Sequence, residues 1–280
     1  MSSGANRSLT VLKLGGSLMG EGGPGLAILS EIARASERGE PILVVHGGGS
    51  ELSAWLARLG IESRFVGGQR VTTAEILPVA LMVLGGLINR RIVEALLGFG
   101  CSAIGMTGAD AGGTHAVPVD DRELGAVGRI VSVNAPLYQD LIDAVRLPVV
   151  ASLAWNAQHG WLNVNADLMA AALAAGLGAR RLILMTDVPG VQGADGAFLT
   201  RLTLGEMRDL VKSGAARGGM IPKLLACHTA LRARVPEVMI LGPGEEGLTR
   251  ALVGSAIEGT RVVRAGEPGS LREAVREMSR

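Results

Sequence analysis

Two stretches of the sequence largely determine the fold of this chain. Each is an apolar run that is followed by a glycine loop. Residues 9–17 have the sequence LTVLKLGGS, and residues 42–50 have the sequence ILVVHGGGS. Each apolar run has the length of a buried β-strand, and the glycines that follow it allow a sharp turn into a helix. Similar runs recur at Ser102–Met106, Pro148–Ser152, Leu182–Met185 and Val238–Leu241. The chain is therefore predicted to build a sheet from several short, buried strands.

Segments in which apolar residues have helical spacing lie between most of these runs. They predict helices over Leu26–Arg38, Glu51–Leu59, Ala74–Leu97, Ala135–Val145, Ala166–Leu177 and Met220–Ala233. Strands that alternate with helices at this interval predict an α/β fold whose mostly parallel sheet is covered on both faces.

Two segments interrupt this alternation and predict β-hairpins. One is formed by His115–Val119 and Val127–Val133, and a smaller one is centred on residues 158–160. Both are expected to project over the sheet as a lid in the first part of the chain. We place the boundary between an N-terminal lobe, residues 1–178, and a C-terminal lobe, residues 179–280.

The composition argues against several classes of partner. Lys and Arg number 27 against 26 Asp and Glu, without a basic run, so nucleic acid is not expected to bind. Cys101 and Cys227 lack the spacing of a metal site and are interpreted as buried thiols of a reducing cytoplasm. Residues 1–8 lack a secretory signal, and the longest apolar run, Ile76–Ile88, is too short to span a bilayer. We expect a cytoplasmic protein without a membrane partner.

The two glycine loops together predict a phosphate site. Parallel sheets bind ligands at the carboxyl ends of their strands, and bare N–H groups in such loops can contact an anion. Lys13 would place a positive charge beside the first loop. Taken alone, the first loop is better explained by a simple glycine turn with a solvated lysine. His46 by itself is better explained as a buried structural histidine than as a ligand or a base. A Walker-type GxxxxGK[ST] motif is missing from the sequence.

Two further motifs precede helices. Residues 163–167, NVNAD, open an Ala-rich helix, where Asn165 is suited to cap the helix and Asp167 to face its positive end. That interpretation leaves Asn163 without a function, so a binding role for the motif stays open. Residues 218–223, GGMIPK, place a lysine at the positive end of a helix, which is unfavourable unless the lysine serves an anion.

Two loop motifs complete the set. Residues 186–190, TDVPG, form a strand-ending turn whose backbone is suited to accept a base or a ribose, and they are also typical of an ordinary turn. Residues 67–72, GGQRVT, hold Arg70 in a glycine-framed loop. An arginine fork suits a carboxylate, although a surface arginine explains the same pattern.

Taken in order, these motifs resemble the amino acid kinase family over residues 10–260, and within it the acetylglutamate kinases. The resemblance implies an open αβα sandwich with a mostly parallel central sheet, assembled as a homodimer. It implies ATP and Mg²⁺ as cofactors and N-acetyl-L-glutamate as the small-molecule substrate, which becomes N-acetylglutamyl 5-phosphate in arginine synthesis. The acetylated amino acid is expected over the N-terminal half and ATP over the C-terminal half.

The resemblance also implies roles for individual residues. Lys13 and Lys223 are expected to stabilise the phosphoryl group in flight, and Asp167 is expected to hold both lysines. The expected substrate-binding residues are Gly47, Gly48, Arg70 and Asn163. The expected nucleotide-binding residues are Gly15, Gly16, Thr186, Asp187, Gly190, Gly219 and Met220. No residue is expected to act as a dedicated metal ligand.

The predicted chemistry agrees with the residues that are present. A carboxylate is already ionised at pH 7, so its phosphorylation needs no general base, and the motifs contain no evident catalytic His or Cys. Ser50 and Arg90 stand where the family usually has proline and lysine. These departures leave the substrate open, and an aminoadipate-type kinase of lysine synthesis is the alternative. A non-catalytic amino-acid sensor of the same fold is a second alternative, which the presence of Lys13, Asp167 and Lys223 disfavours. A dinucleotide-binding oxidoreductase is disfavoured because GxGxxG is missing.

The two ends of the chain carry further expectations. Only about eight residues precede the first strand, whereas arginine-inhibited relatives carry an extra N-terminal helix, so the resemblance implies an arginine-insensitive dimer. The tail, residues 264–280, extends beyond the resemblance and is predicted to contain a short amphipathic helix.

Overall fold

An α/β fold is seen in the computed structural model, which describes residues 9–19, 25–244, 246–255, 257–264, 271 and 275. Its strands are β1 Thr10–Leu14, β2 Ile42–His46, β3 Phe65–Val66, β4 Gln69–Arg70, β5 Ala103–Thr107, β6 Thr114–Pro118, β7 Val127–Val133, β8 Leu147–Ala151, β9 Leu153–Asn156, β10 Gly160–Val164, β11 Arg181–Met185, β12 Arg201–Thr203, β13 Glu237–Leu241 and β14 Gly259–Val263. The residues before Leu9, and all of the tail 264–280 except residues 264, 271 and 275, lie outside the described part. The tail helix and the expectation about the N-terminus therefore stay predictions.

The central sheet has eight strands in the order β12-β14-β13-β11-β1-β2-β8-β5. All six strands predicted from apolar runs belong to it. Its neighbours are parallel except β13 and β14, which run antiparallel. The mostly parallel sheet is thus confirmed. Strands from the first part of the chain lie on one side of the β1–β11 pair, and strands from the second part lie on the other.

Helices cover both faces of this sheet. They are α1 Gly25–Glu37, α2 Gly49–Arg58, α3 Ile76–Ala80, α4 Asn89–Gly98, α5 Ala135–Asp143, α6 Ala166–Gly176, α7 Leu204–Lys212, α8 Met220–Arg232 and α9 Gly247–Leu252. One buried core joins the sheet to α5, α6, α7 and α8, and a second joins it to α1, α2, α3, α4 and α9. The layers are therefore those of an αβα sandwich.

Strand periodicity decides which core each side chain enters. In β1, Val11 packs on the α6 and α8 side, whereas Leu12 and Leu14 pack on the opposite side. Lys13, two residues after Val11, consequently lies on the α6 and α8 side. In β2, Ile42 and Val44 face the side that contains α3 and α4, which places the last residue of the strand on that side as well.

One long helical rod runs from Ile76 to Gly98, with a π-helical segment at Leu81–Ile88 between α3 and α4. The predicted helix over Ala74–Leu97 is thus confirmed, although its irregular middle was not foreseen. Among the described residues it is the one helix long and apolar enough to cross a membrane, by length and composition alone. Half of its apolar window is buried inside the fold, as in a core helix of a globular domain.

The predicted hairpins are present, but they join into one smaller sheet. β6 pairs with β7 and β9 pairs with β10, both antiparallel. β7 and β10 are parallel neighbours, which gives the order β6-β7-β10-β9. A separate two-stranded hairpin, β3–β4, was not predicted. The smaller sheet and this hairpin border the carboxyl edge of the large sheet, where the candidate site lies.

Candidate active site

The two glycine loops meet at the carboxyl ends of the neighbouring strands β1 and β2. A Cβ atom built on Gly16 would lie 2.8 Å from the Gly49 nitrogen and 2.9 Å from the Gly48 Cα. Any side chain at position 16 would therefore push the second loop away. Close backbone approach explains why glycine is needed here, and it brings two sets of backbone N–H groups together, as a phosphate site requires.

Three charged residues from distant parts of the chain form one cluster beside these loops. Lys13 Nζ lies 2.9 Å from Asp167 Oδ1, and Lys223 Nζ lies 3.4 Å from Asp167 Oδ2. The exposed fractions of the three side chains are only 7%, 13% and 5% for Lys13, Lys223 and Asp167. β1, α6 and α8 each supply one member, so the fold itself assembles the cluster.

Burial and opposite charge act against each other in this cluster. Burial alone would raise the pKa of Asp167, but the ammonium groups of Lys13 and Lys223 outweigh it and hold the pKa below its ordinary value. The pKa of Lys13 is lowered, chiefly by burial, and Asp167 opposes that shift. A single carboxylate that binds two ammonium groups leaves the cluster with a net positive charge, which suits an anionic ligand.

The N-terminal turn of α6 positions Asp167. The side chain of Asn165 accepts hydrogen bonds from the backbone N–H groups of Asp167, at 3.0 Å, and Leu168, at 3.2 Å. The helix-cap interpretation of Asn165 is therefore confirmed. Asn163 is not part of this cap, because its amide nitrogen donates instead to Thr72 Oγ1 at 3.0 Å.

A cleft of about 170 Å³ opens beside the charged cluster. Seven predicted site residues line it: Lys13, Gly16, Gly47, Gly48, Arg70, Asn163 and Asp167. All four predicted substrate-binding residues are among them. The structure therefore brings the predicted substrate residues and part of the predicted catalytic group into one cavity.

Arg70 is held firmly at one wall of the cleft. Its guanidinium donates to the Gly49 carbonyl and to Ser53 Oγ, both at 2.8 Å, and it also contacts Ser63. The ring of Phe65 stacks against it at 4.6 Å. Arg70 is 6% exposed, so the alternative of a free surface arginine is wrong.

The predicted nucleotide-binding residues are more dispersed. Thr186 is buried after β11, where its N–H donates to the Leu241 carbonyl, and the adjacent Asp187 is exposed. Gly219 caps α8 and accepts a hydrogen bond from Lys223 at 3.5 Å. Two of the set pack against neighbours: Gly15 lies close to the Met185 carbonyl and Gly190 to Thr260, while Met220 is half-buried against the core. Of this set, only Gly16 lines the cleft.

Several cleft residues were given no site role from the sequence, although five of them lie within the quoted motifs. They are Gly49, Leu52, Phe65, Gly68, Gln69, Leu84, Val127, Ser152, Val164 and Ala166. Ser152 could have been predicted from the sequence, because it is the polar residue that follows an apolar strand at the ligand-binding edge. Leu84 could not have been predicted, because its approach to the cleft depends on the π-helical segment.

Among the described residues, no three His, Cys, Asp or Glu side chains cluster as a metal site. The carboxylate in the cleft, Asp167, is already engaged by two lysines.

Comparisons with known proteins agree with this geometry. Residues 8–242 match the amino acid kinase family. An acetylglutamate kinase of Koribacter versatilis (strain Ellin345) is 44% identical over 235 residues, covering 82% of this chain and 89% of the relative. An acetylglutamate kinase of Geobacillus kaustophilus (strain HTA426) is 40% identical over 231 residues, covering 82% and 88%. The crystal structure of smu.665 from Streptococcus mutans UA159 superposes with a TM-score of 0.79 at 26% identity, covering 92% of this chain and all of that one. The family match spans every predicted site residue.

Proposed function

Because the chain belongs to the amino acid kinase family and is an ATP-dependent kinase, we propose that it phosphorylates the side-chain carboxylate of N-acetyl-L-glutamate. The products are N-acetylglutamyl 5-phosphate and ADP, and the reaction belongs to arginine biosynthesis. The buried cluster of Lys13, Asp167 and Lys223 beside the glycine loops is the observation that carries the proposal.

The proposed transfer needs positioning and charge neutralisation rather than proton removal. A carboxylate oxygen of the substrate attacks the γ-phosphorus of ATP, and the bond from that phosphorus to the bridging oxygen breaks. ADP takes the electron pair, and no proton has to move. Lys13 and Lys223 neutralise charge on the phosphoryl oxygens, and Asp167 keeps both ammonium groups on one side of the cleft.

Substrate recognition is proposed for the cleft wall. The fork of Arg70 is suited to a carboxylate of the acceptor, and its contacts with Gly49 and Ser53 hold that fork in place before the substrate binds. Asn163 uses its amide nitrogen on Thr72, which leaves its carbonyl oxygen to accept an N–H group. Gly47 and Gly48 offer backbone groups on the same side.

The nucleotide is proposed to bind across the ends of β11 and α8. The end of β11 is followed by Thr186, Asp187 and Gly190, and the start of α8 contains Gly219 and Met220. The single loop that holds Gly15 and Gly16 lies between this region and the cleft. Mg²⁺ would neutralise phosphate charge when it enters with the nucleotide. Asp187 is an exposed carboxylate that accepts one hydrogen bond, from Thr186, and it would contact the hydrated ion.

We also propose that the two halves of the chain divide this work. The boundary at residue 178 falls between α6 and β11, where the sheet changes from strands of the first half to strands of the second. Residues 1–178 would bind the acceptor and form the dimer, and residues 179–280 would bind ATP. The lid assigned to the smaller sheet is supported by Val127 and Asn163, which it contributes to the cleft.

A cytoplasmic homodimer is proposed as the working form. The helical rod exposes Met82 and Leu97, with exposed fractions of 61% and 54%, and the exposed Phe99 follows its last residue. Exposed apolar side chains on one rigid element are suited to a subunit contact. Light scattering after size-exclusion chromatography should give twice the chain mass, and a monomer would contradict the proposal.

The substrate is tested by trapping the acyl phosphate with hydroxylamine. N-acetyl-L-glutamate, L-glutamate and L-aminoadipate are compared side by side with ATP and Mg²⁺. We expect hydroxamate to form fastest with N-acetyl-L-glutamate. Faster formation with aminoadipate would identify the alternative kinase of lysine synthesis, and no hydroxamate with any acceptor would favour a non-catalytic sensor.

A further inference from the structure

A fully buried histidine, which the proposed reaction does not use, lies directly beneath the second glycine loop. His46 is the last residue of β2 and immediately precedes Gly47, which lines the cleft. Its side chain is 0% exposed. It lies on the side of the sheet that contains the helical rod, away from the cluster of lysines.

Both ring nitrogens of His46 have a partner. Nδ1 lies 2.9 Å from the Gly47 carbonyl oxygen, and Nε2 lies 3.0 Å from Asn89 Nδ2. A carbonyl can only accept a hydrogen bond, and an amide nitrogen can only donate one. The network therefore assigns the proton to Nδ1 and leaves Nε2 as an acceptor, which is a neutral ring in one tautomer. Burial, the main influence, lowers the pKa of His46 to about 4, in agreement with a neutral ring.

Asn89 fixes the His46 ring through a hydrogen bond to Nε2. Asn89 is also fully buried, and its amide nitrogen donates to the Val149 carbonyl of β8 at 2.9 Å as well as to His46. Its carbonyl oxygen accepts from the guanidinium of Arg90. The start of α4 is thereby tied to two strands of the sheet, and His46 has little freedom to rotate.

The bond to the Gly47 carbonyl orients the next backbone donor. The peptide that joins Gly47 to Gly48 is planar and trans, so its C=O and N–H groups point in opposite directions. Because the carbonyl is held by His46, the N–H of Gly48 points away from the histidine. Within the described part of the chain, no protein acceptor is recorded for that N–H.

The helical rod limits the loop from another direction. A Cβ atom on Gly48 would lie 2.7 Å from Leu84 Cδ2 and would also collide with Ile88. Leu84 and Ile88 both belong to the π-helical segment, whose irregular turn brings them under the loop. π-Bulges often occur at functional sites. Packing therefore permits only glycine at position 48, and the His46 hydrogen bond selects the orientation of the peptide that precedes it.

We infer that His46, held by Asn89, is a positioning residue that fixes the Gly47–Gly48 peptide and directs the Gly48 N–H into the cleft toward the phosphoryl group. Its effect on turnover rests on the function proposed above. The tautomer and the peptide orientation do not, so they can be tested separately.

The kinetic test uses substitutions that preserve one ring nitrogen at a time. In His46→Asn, the amide nitrogen can replace Nδ1 as the donor to Gly47. In His46→Gln, the side-chain oxygen can replace Nε2 as the acceptor from Asn89, but the donor to Gly47 is lost. We expect His46→Gln to reduce kcat about 10- to 100-fold with little change in KM for ATP, because a phosphoryl-directed donor is misaligned. His46→Asn should recover most of that loss, and the exposed His159→Gln serves as the control.

Two outcomes would overturn the inference. Equal kcat values in His46→Asn and His46→Gln would show that the donor to Gly47 does not matter. A Nε2–H tautomer or a charged ring in ¹⁵N-histidine NMR spectra of the wild-type protein at pH 7 would do the same. The spectrum decides even if both variants fail to fold. Because it requires no turnover, it also separates failure of this inference from failure of the proposed function.

Discussion

The proposed acceptor half and the proposed nucleotide half of the candidate site are built differently. Gly47, Gly48, Arg70 and Asn163 line one cleft, and the side chains of the latter two are held by hydrogen bonds to neighbouring elements. The predicted nucleotide residues are instead distributed over three places, the loop after β1, the end of β11 and the start of α8, and all except Gly16 lie outside that cleft. The side chains proposed to bind the acceptor are thus held in place, whereas the residues proposed to bind the nucleotide are dispersed. Four experiments can test this difference.

The largest effect is expected from the lysines that connect the two halves. Lysine occurs at only three positions in the chain, 13, 212 and 223. Lys13→Ala and Lys223→Ala should each reduce kcat by roughly 10²- to 10³-fold, or about 3 to 4 kcal/mol, because one donor to the phosphoryl group is lost. Lys212→Ala, an exposed position on α7, should leave kcat within about twofold. Turnover close to wild type in either cluster variant, with circular dichroism unchanged, would refute the proposed mechanism.

Acidification should lower the free energy of unfolding, because His46, beneath the second glycine loop, is buried as a neutral ring. Its pKa is lowered from 6.5 to about 4 in the folded protein, so the unfolded chain binds the proton more tightly. The free energy of unfolding should therefore be fully retained above pH 6.5 and fall as the pH decreases toward 4, by up to about 3 kcal/mol.

Urea unfolding at pH 7, 6 and 5 measures this loss. The wild-type protein should lose more stability across that range than His46→Asn, because the variant has no ring to protonate. Parallel curves for the two proteins would show that His46 does not titrate in this way.

A smaller effect, specific for the acceptor, is expected from Arg70. Arg70→Lys keeps the charge but loses the planar fork, and hydrogen bonds to charged groups contribute about 1.5 to 3 kcal/mol. The KM for N-acetyl-L-glutamate should rise by roughly 10- to 100-fold while the KM for ATP stays nearly constant. Arg64→Lys is the control, since Arg64 pairs with Glu123 at the surface, 3.1 Å away. Equal increases in the KM for N-acetyl-L-glutamate and the KM for ATP would mean that Arg70 does not act on the acceptor alone.

The smallest effect is expected where the two halves touch. Gly68, in the β3–β4 turn, has a φ of +77°, and a Cβ on it would lie 2.5 Å from the Gly218 carbonyl and 2.9 Å from Pro222. Gly67 has a φ of +55° but has no atom within 4 Å of a built Cβ. Alanine at either position costs about 1 to 2 kcal/mol of backbone strain, and only Gly68→Ala adds a collision.

This pair of variants isolates the contact between the halves. Gly68→Ala should raise the KM for both substrates several-fold, whereas Gly67→Ala should lower the melting temperature without changing either KM. If the two variants have the same kinetics, the contact of Gly68 with Gly218 does not contribute to binding.

The regular part of the fold was predictable because its signals are local. The six apolar runs match strands of the large sheet to within about two residues, since a buried parallel strand needs a continuous apolar run. β14 was missed because its sequence, GTRVV, contains only two adjacent apolar residues, and β12 was missed because it has only three residues. α7 was also missed, although Thr203 and Glu206 form a capping box at its start, a signal that the sequence does contain.

The site was predictable only where spacing carried the information. The loops of Gly16 and Gly48 follow strands and could be placed at one edge of the sheet. The pairing of Lys13 with Asp167 could not be obtained from spacing, because 154 positions separate them and only the resemblance connected them. The contacts of Gly68, within the quoted loop 67–72, and of Leu84 were missed for a different reason, since they depend on a positive φ and on a π-helical turn that have no reliable sequence signal.

The central place of β1 also has a consequence for synthesis on the ribosome. Thr10 lies opposite Ile42 on one side and opposite Arg181 on the other, so the second partner strand is translated 171 positions later. At about 5 to 20 residues per second, β1 spends roughly 10 to 30 s with one edge unpaired. Lys223 emerges later still, so the charged cluster is among the last features of the nascent chain to form.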